Sequence, residues 1–166
     1  MKILISSFLI TIALVFTAFA QTAKITAKDL KPLEGNQWVG SLTYLDYQSK
    51  KPTLIKSNVR ITRNAADKLK WTFAMQYPLE PKANRSEDVV LSSDGLIFDG
   101  ESVIERMKLP GGILKIVTTI SSKDDDRDAT FRHTYLISKK SFSIRKDVKF
   151  AGETEFFERN TYRWTR

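Results

Sequence analysis

The 166-residue chain contains no cysteine. Disulfide staples and lipid attachment through cysteine are therefore excluded, and a packed core alone must hold the fold. There is one histidine, His133. A lone histidine lacks the partners of a typical zinc site, and no nucleophile-bearing motif accompanies it. Helical periodicity is scarce, no internal repeat is evident, and no apolar run after residue 20 approaches bilayer-spanning length.

What the chain does have begins at its N-terminus. Met1-Lys2 supplies a positive start, Ile3 to Ala20 is apolar apart from Ser6, Ser7, Thr11 and Thr17, and Ala18-Phe19-Ala20 precedes Gln21 as a small-x-small cleavage site. A retained membrane anchor is the alternative reading of such a run. The cleavage site favours a signal peptide over residues 1–20 and one exported domain over 21–166, periplasmic or extracellular. A domain of that length buries roughly two-thirds of its unfolded surface.

The formal net charge is +8. For an exported protein this points away from nucleic acid and towards anionic glycans, lipopolysaccharide or phospholipid head groups as an anionic envelope partner. The lysines are dispersed (Lys50-Lys51, Lys68, Lys70, Lys139-Lys140, Lys146), which reads as a solvated surface rather than a binding stripe.

Nearly every segment alternates with period two. Leu69, Trp71, Phe73 and Met75 share one face; so do Phe131, His133, Tyr135 and Ile137, Val59 and Ile61, and Phe142 and Ile144. Turn signals separate these runs at Ser92–Gly95, Pro110–Gly112, Lys123–Asp128, Ser138–Lys140 and Ala151–Glu153. About ten short strands at regular spacing predict an all-β barrel or sandwich. Thr26 to Asp29 is a capping box for a single helical turn, limited by Pro32, and Tyr77 to Glu87 is the longest loop expected.

Gly35-Asn36-Gln37-Trp38 opens the first strand, and the last reads FFERNTYRWTR. This pairing resembles the lipocalins and the wider calycin group, though with Gly-x-x-Trp in place of Gly-x-Trp. The resemblance implies a single antiparallel lipocalin-like β-barrel of about 8–10 strands with a short N-terminal helical turn, similar to small exported bacterial barrel proteins. It also implies that Trp38 closes one end of the barrel against a C-terminal arginine, with Arg159 and Arg163 the candidates and Arg166 further along the same strand.

Alternate residues of a barrel strand point inward. The candidate cavity residues are Trp71, Phe73, Met75, Met107, Phe131, His133, Tyr135 and Phe142, an aromatic and Met lining with few polar tips, as an apolar-ligand pocket needs. Period two does not distinguish this from a filled core. His133 reads as a hydrogen-bonded, partly buried residue rather than a general base or metal ligand. Asp124 to Asp128 reads as an exposed acidic hairpin tip, without the glycine and distal glutamate of a calcium loop. Glu101 and Glu105, at i and i+4 on one strand, stand about 13 Å apart, too far for a glycosidase pair.

No catalytic residue, metal or cofactor is expected. The expectation is an exported binder of a small apolar or amphipathic ligand, not integral to the membrane after signal cleavage. The alternative is a non-enzymatic interaction module whose filled barrel presents a basic surface to an envelope component or partner protein.

Overall fold

The computed structural model describes residues 23–35 and 37–166. The signal peptide read over residues 1–20 and Asn36 lie outside the described residues. Ten strands follow one another: β1 (Gln37–Asp46), β2 (Lys51–Arg63), β3 (Lys70–Gln76), β4 (Arg85–Val90), β5 (Ile97–Phe98), β6 (Glu101–Leu109), β7 (Ile113–Asp124), β8 (Arg127–Ile137), β9 (Ser141–Phe150) and β10 (Phe157–Thr165). They form one antiparallel sheet ordered β4-β3-β2-β1-β10-β9-β8-β7-β6-β5. The last strand returns beside the first, from Val39↔Thr165 to Tyr44↔Asn160. The two edges meet at a seam where Leu91 bridges Phe98 and the Asp99 N–H donates to the Val90 carbonyl at 2.7 Å. The result is a nearly closed all-β barrel, one of the two architectures that the alternation predicts.

Local chemistry sets the corners. Asp99-Gly100 and Asp125-Asp126 both place two successive residues at positive φ, the tight-hairpin geometry that suits strand twist. The first of these joins β5 to β6. The expected loop from Tyr77 to Glu87 is shorter than the sequence suggests, because Arg85 to Glu87 already pair with β3. Their side chains are exposed on both faces, so no apolar alternation marks the strand. Tyr77 is instead fixed by its N–H donating to Asn84 Oδ1 at 2.7 Å.

One barrel end is filled. Helix α1 (Ala27–Leu30) and a 3₁₀ turn (Lys31–Leu33) lay Leu30 and Leu33 into it, beside Ile25. Asp29 Oδ2 accepts the Thr26 N–H at 2.8 Å, and its other oxygen takes the Arg106 guanidinium at 2.6 Å. That ion pair ties the plug to β6. Beneath it lie Trp38, Trp71, Phe142 and Trp164, all essentially buried, with Phe142 stacked on Trp164 at 5.1 Å between centroids. Trp38 Nε1 donates to the Leu33 carbonyl at 3.0 Å, joining the first strand to the plug. The cation over its ring is Arg166, at 4.3 Å. Arg163 points outward from β10, and Arg159 sits at the far end of the strand, its guanidinium 4.0 Å over Tyr47. The closure implied by resemblance is thus made by the terminal arginine, because Arg163 has the outward phase and Arg159 lies beyond reach.

Gly40 marks the tightest contact in the wall. A Cβ there would stand 1.9 Å from the Arg163 carbonyl oxygen, a backbone atom that cannot rotate away. Gly40→Ala is expected to separate β1 from β10 and cost on the order of 1–3 kcal/mol or more, read as a lower urea midpoint. Asp29 offers a pH test. Burial raises its pKa, but hydrogen bonds from Arg106 and from the Thr26 amide outweigh it and hold the carboxyl below its ordinary 3.8. A depressed folded pKa gives stability that is full above the ordinary value and lost as pH falls through the lower one. The stability gap between wild type and Asp29→Asn should therefore be constant near neutrality and narrow below about pH 4, measured by urea unfolding.

Candidate functional site

Between the filled end and the opposite mouth, the inward face changes character. On β8 it runs Ile137, Tyr135, His133, Phe131; on β9 Phe142, Ile144, Lys146, Val148; on β7 Ile116, Thr118, Ile120; on β10 Trp164, Tyr162, Asn160. The register aligns the polar member of each strand: Thr118↔His133, His133↔Lys146, Lys146↔Asn160 and Asn160↔Tyr44. A belt of polar side chains thus crosses five adjacent strands at one level. Apolar layers lie on both sides, the plugged core below and a cluster of Ala129, Phe131, Val148 and Phe150 above.

Glu101 extends the belt to β6. Its carboxylate is largely buried, takes the Thr118 hydroxyl in a short hydrogen bond, and lies 2.8 Å from His133 Nδ1. A carboxylate on Nδ1 fixes the imidazole's orientation and leaves Nε2 to meet whatever occupies the barrel. Lys146 lies over the face of Phe131, 3.5 Å from its centroid, and reaches Asp124 at 3.5 Å. Asp124 also accepts the Tyr47 hydroxyl and pairs with Arg159 at 3.4 Å. The Tyr47 pKa is pushed up to about 12, by burial first and then by that bond.

The belt opens onto a chamber of about 260 Å³. Phe73, Met75, Val89, Phe98, Tyr135 and Ile144 give its apolar lining, and Arg85, Glu87, Asp99, Glu101 and Lys146, with the His133 imidazole, its polar one. The chamber continues, through Arg85, Lys146, Asn160 and Tyr162, into a mouth of about 430 Å³. There Tyr77 and Tyr162 share a hydroxyl contact of 2.9 Å, and the Arg85 guanidinium donates to both, at 3.0 and 3.3 Å. Burial and the mutual bond raise the Tyr77 pKa far above that of a free phenol. Desolvation, then Glu101 and Glu87, raise that of Asp99.

Of the residues singled out by sequence, Phe73, Met75, His133 and Tyr135 meet in the chamber. Trp71 and Phe142 belong to the filled end, where Trp71 Nε1 donates to Glu34 at 3.1 Å. Phe131 sits in the upper apolar cluster. Met107 is 49% exposed. A bulge between Val103 and Glu105 reverses the phase of β6 and turns Met107 out, bringing Arg106 round to Asp29. Asp125 and Asp126 form the expected acidic tip, but Asp124 turns into the mouth.

Sequence reasoning missed Arg85, Glu101, Thr118, Lys146, Asn160 and Tyr162. Their signal is a polar residue in phase with an apolar face, as in Ile116-x-Thr118-x-Ile120 and Ile144-x-Lys146-x-Val148.

A scan against protein-family models matches none of them, and a search of curated proteins gives no match. The barrel is compatible with a lipocalin-like architecture, and it is on the architecture alone that the likeness stands. Among the described residues, no helix is long and apolar enough to cross a membrane and no three His, Asp or Glu side chains are grouped to hold a metal ion.

The Glu101–Thr118 bond yields a direct test. Glu101→Leu strands a fully buried hydroxyl and should cost about 1–3 kcal/mol. Adding Thr118→Val removes the stranded group, so the double variant should lose less than the sum of the two single losses in a urea double-mutant cycle.

Proposed function

We propose that this protein is an exported binder of one small amphipathic molecule, held inside the barrel in the manner of lipocalin-like carriers. The observation that carries this reading is the chamber itself, a partly hollow interior lined both by apolar side chains and by charged ones. Interior charge is costly to keep without a role, and a barrel meant only to be filled would be packed with aliphatic side chains there. The size argues for a small occupant, since drug-sized ligands occupy about 300–1,000 Å³. Export rests on the Ile3–Ala20 run and the Ala18-Phe19-Ala20 site.

A second reading has its own support. The outer face of β6–β10 carries a groove of about 560 Å³ lined by Ile104, Leu136 and four cations, of which Lys115 pairs with Glu105, Arg132 and Arg145 pair with Asp147, and Arg163 adds net positive charge. An interaction module contacting an anionic envelope component or a partner protein would use this face.

Native mass spectrometry of the protein purified from its own host separates the two. Interior binding predicts a co-purifying mass that is lost on denaturation. It also predicts uptake of the neutral fluorophore N-phenyl-1-naphthylamine by the emptied protein. Ile144→Phe, which adds bulk to the chamber wall, should fold and lose both signals. A protein with no bound mass and no fluorophore uptake would sink the interior reading and leave the outer groove.

A further inference from the structure

The two charged walls of the chamber face each other. Lys146 belongs to β9; Glu87, Asp99 and Glu101 belong to β4, the β5–β6 turn and β6. In the strand order, β9 stands four neighbours from β5 in one direction and five from β4 in the other. The lysine is therefore set across the ring from the seam that carries Glu87 and Asp99, with His133 and Glu101 on the strands between.

Each wall keeps one charge that is incompletely matched, Lys146 on β9 and Asp99 at the seam. Lys146 shares the single carboxylate of Asp124 with Arg159, at 3.5 and 3.4 Å. Its other near neighbour is the Phe131 ring. On the seam side, Glu87 takes Arg85 Nε at 2.6 Å, and Glu101 is committed to Thr118 and His133. The Asp99 carboxylate makes no hydrogen bond or ion pair among the described residues. Desolvation first, then crowding by Glu101 and Glu87, disfavours its charge, and a cation arriving there offsets both.

Arg85 is already committed to Glu87 and to the Tyr77 and Tyr162 hydroxyls, so an anionic ligand would answer Lys146 and leave the Asp99 carboxylate unpaired. A cationic ligand would do the reverse. A ligand with both charges answers both walls, and its apolar part meets Phe73, Phe98 and Ile144. We infer that the chamber takes a small zwitterion with an apolar side chain, an α-amino acid or dipeptide, its ammonium towards Asp99 and Glu101 and its carboxylate towards Lys146. This rests on the interior-binding reading above and names the class of ligand.

Titration calorimetry on the intact domain tests it with four probes: L-phenylalanine, L-alanyl-L-phenylalanine, 2-phenylethylamine without the carboxylate, and 3-phenylpropionate without the ammonium. At least one zwitterion should bind ten-fold or more tightly than either half-charged analogue, and the tighter zwitterion identifies amino acid or dipeptide. Lys146→Met, which keeps the stem over Phe131, should weaken that zwitterion at least ten-fold and leave 2-phenylethylamine unchanged. Asp99→Asn, tolerated at a left-handed turn position, should weaken it and leave 3-phenylpropionate unchanged.

A half-charged analogue that binds as tightly as both zwitterions overturns the inference. So does fluorophore uptake that none of the four probes displaces, a result that leaves interior binding standing. Failure of the fluorophore and all four probes overturns both. The wild-type comparison does not depend on whether either variant folds.

Discussion

Everything in this barrel depends on the register held from β7 to β9 and, from Asn160 onward, through β10 to β1. Side chains alternate, so a slip of one residue on any of these strands would turn its whole inward set to solvent. With the register held, one polar residue per strand arrives at the same level and the belt exists as a ring segment rather than as scattered buried charges. The small Gly40 lets β10 approach β1 closely enough to continue that register into the first strand.

Where the register does shift, it delivers an arginine. The bulge in β6 brings Arg106 to Asp29 and so seals the plug, while the irregularity between Glu158 and Asn160 sends Arg159 to the Leu45 carbonyl and to Asp124. The two ends of the molecule are thus finished by the same device. Between them the belt lies in a low-dielectric setting, where an unmatched charge weighs far more than at the surface. That is why Glu101 is held by both a hydroxyl and an imidazole, and why the incomplete pairing of Lys146 stands out against it.

The barrel was legible because burial follows the period of the strand, and the sequence carries that period plainly in Trp71-x-Phe73-x-Met75 and Phe131-x-His133-x-Tyr135. The helical turn was legible through its capping pair. The site was legible only in its apolar half. Glu101 and Glu105 were weighed as partners along one strand, whereas the partners of Glu101 are Thr118 and His133, brought to it by neighbouring strands. Met107 was misplaced because a bulge leaves no mark in hydropathy. Arg85 was hidden in a stretch without alternation. Cross-strand neighbours depend on register, and register is a property of the whole ladder rather than of any segment.

The seam between β4 and β5 has a consequence for life in a crowded compartment. A sheet that almost closes still presents two short rims of backbone donors and acceptors, the natural template for another chain to extend. The β4 rim reads Arg85-Ser86-Glu87-Asp88, all exposed, and β5 is two residues long. An incoming strand would have to strip water from three charges on one rim and would find almost no length on the other. The composition that concealed β4 as a strand is the same composition that makes its rim a poor template for another strand.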